Sequence, residues 1–83
     1  MILHRSLPAT PHVINNLDLP GPNTITLKSV AAGKLIEIST DDGVEFFTPV
    51  AETTTGTMIV VTISAPITSV RFTGNIGDQI TIL

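Results

Sequence analysis

Nowhere in this chain do ten or more consecutive residues carry a 3.6-residue apolar period. That pattern leaves almost no room for an amphipathic helix and points to strands. Thr24-Ile25-Thr26-Leu27-Lys28 alternates polar and apolar, the period of a half-buried strand. Lys34–Ser39 follows a turn at Ala31-Ala32-Gly33. Thr40-Asp41-Asp42-Gly43 then marks a hairpin, because Asp-Gly supplies the positive φ that a tight turn needs. The return strand is expected at Val44–Thr48, stopped by Pro49, with a threonine-rich loop over Ala51–Gly56. Thr57–Ser64 is the longest apolar run and reads as a central strand. Thr68–Thr73 alternates with Val70 and Phe72 inward, and Gln79–Leu83 closes the series. About six strands at 8–12-residue spacing predict an all-β fold, a small antiparallel β-sandwich or barrel. No internal repeat is evident.

The segment before residue 24 has a different texture. Residues 1–23 hold Pro8, Pro11, Pro20 and Pro22, and proline removes a backbone donor and fixes φ, so neither a helix nor a central strand is expected there. Yet Ile2, Leu3, Leu7, Val13, Ile14, Leu17 and Leu19 are large and apolar, unlike the residues of a disordered tail. The division is therefore an extended, apolar N-terminal arm over 1–23 and a β domain over 24–83. At ~3.3 Å per residue such an arm could reach ~65 Å, and its apolar side chains are the candidate partner-binding residues.

Composition enters through size. The chain has 83 residues, 13% of them charged, and a mean hydropathy of +0.44. Soluble domains carry about 25% charged residues, and small ones need more polar surface in proportion. A chain with so little charge, no disulfide and a β core of this size is expected to have its surface covered, by a homo-oligomer (dimer or trimer) or by another protein. Adjacent Phe46 and Phe47 fall on opposite faces of an extended strand, so one enters the core and the other, taken as Phe47, needs a partner.

Several function classes are disfavoured. The net charge is −3, and Arg5, Lys28, Lys34 and Arg71 are scattered, which argues against nucleic-acid binding. There is no cysteine, no apolar run long enough for a membrane helix, and no apolar core after Arg5 to make a signal peptide, so cytoplasmic synthesis is expected. The only histidines, His4 and His12, lie in the arm, a poor scaffold for a catalytic base, and no third ligand is near them in sequence. Asp41, Asp42 and Glu45 match no calcium-loop spacing and read as a solvated turn. Gly74-Asn75-Ile76-Gly77 leads into a strand, not into a helix that could cradle phosphate. No catalytic residue, cofactor or metal is therefore expected. Carbohydrate binding is weakened by the absence of tryptophan and tyrosine platforms.

The short all-β composition rich in threonine, valine and isoleucine, the apolar proline-containing arm, and the closing Ile67-Thr68-Ser69-Val70-Arg71-Phe72-Thr73-Gly74-Asn75-Ile76-Gly77-Asp78-Gln79-Ile80-Thr81-Ile82-Leu83 together resemble the small decoration (cement) proteins of tailed bacteriophage capsids. That resemblance implies a non-enzymatic virion protein on the capsid exterior, with the major capsid (coat) protein as partner. Residues 1–23 would then lie across neighbouring coat subunits as a clamp. The alternatives are another phage structural part (head fibre, tail or connector) or a carbohydrate-binding adhesion module.

Overall fold

A computed structural model describes residues 3–49 and 52–83. The described residues contain eight strands and no helix: β1 Leu3–Ser6, β2 His12–Ile14, β3 Asn23–Lys28, β4 Leu35–Ser39, β5 Glu52–Thr55, β6 Met58–Ile63, β7 Ser69–Thr73 and β8 Gln79–Ile82. They form two antiparallel sheets, β1-β8-β3-β6-β5 and β2-β7-β4, packed as a small sandwich. The five strands expected to begin at 24, 34, 57, 68 and 79 are present within a residue or two.

The chain changes sheet at every connection except the β5–β6 turn. Each sheet therefore owes its strands to widely separated stretches of sequence, and all the loops collect at two ends. Ile25, Leu27, Ile59, Val61, Ile80 and Ile82 face inward from the larger sheet, and Ile36, Ile38, Val70 and Phe72 from the smaller. Phe72 is the largest fully buried side chain. The inward pair Val70 and Phe72 was legible from the sequence because β7 is the middle strand of its sheet, with one face toward the core.

The N-terminal segment is extended, and it docks on its own domain. β1 pairs with β8 (Arg5 opposite Ile80) and β2 pairs with β7 (Val13 opposite Arg71), so each forms an edge of a different sheet. The prolines fit this arrangement because Pro8, Pro11, Pro20 and Pro22 all lie outside the strands. Leu7, Ile14 and Leu19 enter the common core, joined by partly buried Leu3 and Leu17. Residues before and after position 23 thus share one interior. Backbone bonds hold the path: Leu7 N–H to Asp78 C=O (2.6 Å), Leu17 N–H to Thr68 C=O (2.9 Å) and the reciprocal Leu19–Ile67 bridge. Between Leu19 and β3, Gly21 sits at φ 81°, where a Cβ would lie 2.5 Å from the Ser64 carbonyl oxygen, so only glycine fits without a shift.

Two local expectations differ. Val44–Thr48 is not a return strand; it touches β4 only at the Ile38–Phe47 bridge. The Ser39 hydroxyl accepts from Gly43 N–H (3.0 Å) and donates to the Asp41 carboxylate (2.6 Å), which in turn accepts Glu45 N–H (3.0 Å). Side chains capture backbone donors that a ladder would have used, and the tight hairpin opens into a wider turn, with Asp42 and Gly43 both at positive φ. Conversely, the stretch read as a loop over Ala51–Gly56 contains β5, which borders β6; β-branched threonine suits such an edge.

Candidate interaction surface

The residues proposed for partner binding fall into three groups. Leu7, Ile14 and Leu19 are buried in this chain's own core, so these three side chains are not displayed on its surface, and Leu3 and Leu17 are partly buried against that core. The physical reason is that both sheets need edge strands and apolar cover, and the N-terminal segment supplies them at high effective concentration. Val13 and Phe47 remain exposed, Phe47 to 47%. Ile2 lies outside the described residues.

Neither Phe46 nor Phe47 enters the core. Phe46 lies beneath the Arg71 guanidinium, 4.4 Å from ring centroid to Cζ, while Arg71 makes a bidentate bond to Glu37 (2.9 and 2.8 Å) across β7 and β4. The carboxylate bonds hold Arg71 charged, above its ordinary high pKa. This stacked group occupies the outer face of the smaller sheet. Phe47 instead borders a groove of about 280 Å³ with Ile38, Thr40, Thr62, Ser64 and Ile67.

The histidines are separated. His4 Nδ1 meets the Thr81 hydroxyl at 3.0 Å, on the outer face of the larger sheet. His12 Nε2 lies 3.0 Å from the Arg5 guanidinium, which makes it the acceptor, and this contact bridges the two edge strands of the N-terminal segment. Partial burial, and secondarily the Arg5 charge, lower the His12 pKa below its ordinary value. Asp41 is held below the usual carboxylate range, chiefly by the Ser39 hydroxyl and then by the Glu45 N–H. Among the described residues no group of three or more histidine, aspartate or glutamate side chains is placed to hold a metal.

What the topology does assemble is a pair of unlike ends. At one end lie the β1–β2, β3–β4, β5–β6 and β7–β8 connections, tied by Gly77 N–H to Leu7 C=O (2.8 Å), Ser29 N–H to Thr57 C=O (2.8 Å) and Gly74 N–H to Thr10 Oγ1 (3.2 Å). Val30 and Ile76 project there, 80% and 71% exposed, with Lys28 and Lys34 nearby. The Asp78 carboxylate is folded back onto Asn75 N–H (2.6 Å). An open groove of about 280 Å³ runs between Lys28, Val30, Thr57 and Asp78. At the other end lie residues 15–22, the turn after β4 and the β6–β7 connection. That end carries Asp18, Asp41, Asp42 and Glu45, all exposed, and Val44 at 85% exposure. None of the chain's four lysines and arginines lies at that end: Arg5 and Arg71 sit within strands, and Lys28 and Lys34 sit at the opposite end. Sequence reasoning placed the acidic turn correctly as solvated but missed its opposition to the lysines, because only the topology puts residues 28–34 and 41–45 at opposite ends.

No protein-family model, no curated protein and no solved structure matches this chain.

Proposed function

We propose that this chain is a non-enzymatic virion structural protein, a decoration subunit that covers the outside of a phage capsid and strengthens contacts between coat subunits. The observation that carries the reading is the solvent exposure of Val30, Val44 and Ile76 at the loop ends of a sandwich with only 13% charged residues. Such side chains contribute stability when another protein covers them, about 1.5–3 kcal/mol each for full burial before ordering costs. The contacts proposed come from the loop ends and the exposed Phe47. The buried N-terminal residues act at one remove, by making the sandwich rigid enough to present those loops. A rigid body lowers the entropy lost on docking.

The test is quantitative mass spectrometry of purified particles from the phage that encodes the chain. A copy number comparable with that of the coat protein is expected. A copy number fitting a single ring or fibre would assign it to the tail, connector or head fibre, and absence from particles would overturn the reading. One observation favours a second reading: the exposed Phe47 ring beside the Thr40, Thr62 and Ser64 hydroxyls has the apolar-plus-hydroxyl character of a weak sugar subsite. Binding on a glycan array, lost in Phe47→Ala, would support it.

A further inference from the structure

We infer that the two unlike ends of the sandwich are complementary, and that the acidic Val44 turn of one copy docks on the Lys28/Lys34 end of a second copy, head to tail. The inference deepens the proposed structural role by naming one partner as this chain itself.

Three observations converge on it. The first is charge. Among the described residues Asp18, Asp41, Asp42 and Glu45 share one end with no lysine or arginine, while Lys28 and Lys34 share the other. Asp78, the carboxylate at the lysine end, accepts Asn75 N–H, and two lysines against one aspartate still leave that end net positive. Like ends repel or are indifferent, and unlike ends attract, so the distribution selects head-to-tail over symmetric pairing. The second is shape. Val44 is the most exposed large apolar side chain among those described and stands on the acidic turn, whereas the lysine end has an open groove beside Val30 that can receive an aliphatic side chain. The third is rigidity. The acidic turn is held by Ser39 and Asp41 side chains, by Asp42 N–H to Thr68 Oγ1 (2.9 Å), and by packing of Asn15 against Gly43, so Val44 is presented by a fixed loop.

A contact between different patches on identical subunits does not terminate at a dimer; it closes into a ring or runs on as a filament. The molecule spans only 29 × 23 × 22 Å, so an end-on contact is small and falls in the weak, transient class. It would matter where copies are already held close together on a shell.

Sedimentation velocity of the full chain, over rising concentration, tests this. At about 0.01 M salt, species larger than dimers are expected; at about 1 M salt, where charges are screened within a few ångströms, association should weaken about tenfold or more. Lys28→Glu/Lys34→Glu and Asp18→Lys/Glu45→Lys should each be monomeric alone, because the first makes both ends negative and the second cancels the net negative charge of the acidic end, leaving it nothing to attract the lysines. An equimolar mixture of the two variants should associate again, since each then offers the other an opposite end. A monomeric wild-type chain at millimolar concentration and low salt would overturn the inference, as would dimers that never grow larger or a mixture that stays monomeric. Circular dichroism on both variants confirms that they fold. Failure leaves the particle copy-number test standing, so the two proposals can fall separately.

Discussion

The body of the sandwich and its two ends follow opposite rules. In the body, strands from across the whole sequence interleave, and large apolar side chains such as Phe72, Leu7 and Ile80 are at or near zero exposure. At the ends, Val30, Val44 and Ile76 stand in solvent on turns rich in glycine, asparagine and aspartate. Nothing in the body's stability requires aliphatic side chains at those tips. The contrast separates residues that serve this chain's own fold from residues available to another molecule. It is also the reason the proposed partner surface lies on the loops and not on the N-terminal segment.

The largest effect should come from removing the N-terminal segment. Deletion of residues 1–22 takes an edge strand from each sheet together with Leu7, Ile14 and Leu19, so a chain without cooperative thermal unfolding is expected; a folded remnant would show that the body is smaller than described. Leu7→Ala should cost about 2–5 kcal/mol by chemical denaturation, as for other buried leucines. Gly21→Ala should also destabilise clearly, because a methyl there meets the Ser64 carbonyl and positive φ disfavours alanine.

A smaller effect is expected at the seam between β1 and β2. The His12 pKa is lower in the folded chain than in the unfolded one, so its contribution to stability is fully present above about pH 6.5, the ordinary imidazole value, and is lost as pH falls through the lowered folded value. Denaturation midpoints should fall with pH across that window and fall less in His12→Gln. A midpoint insensitive to the substitution would remove the Arg5–His12 contact from the energetics. The smallest effect on stability, within about 0.5 kcal/mol, is expected for Val30→Ser and Ile76→Ser, which are surface changes. The same pair should reduce association measurably, which is what distinguishes a tip from a core residue.

The difference between body and ends also explains what the sequence disclosed. Strands β3 and β7 were visible because each has one face on the core, which alternation reports directly, β6 was visible as the longest apolar run, and β4 and β8 as short β-branched stretches between turn signals. Leu7, Ile14 and Leu19 were equally visible as apolar, but hydrophobicity states only that a side chain wants cover, not whether the cover is its own domain. The prolines made the segment look unfit for pairing, whereas edge strands of three and four residues fit between them. Val44–Thr48 misled for a local reason: Ser39 and Asp41 satisfy the backbone of the turn, so Asp42-Gly43 does not start a full ladder. The opposed charges at the two ends depend on a topology that crosses between sheets at nearly every loop, and no local pattern carries that information.

Hydrogen exchange at the Leu7, Leu17 and Leu19 amides tests the division between body and ends most directly. These donors bond to Asp78, Thr68 and Ile67 respectively. Protection comparable with that of β3 and β8 amides is the expected result, with the segment opening only when the whole sandwich unfolds. Exchange at the rate of an open chain, while β3 and β8 stay protected, would contradict it and return the N-terminal segment to the role of a free arm reaching for a partner.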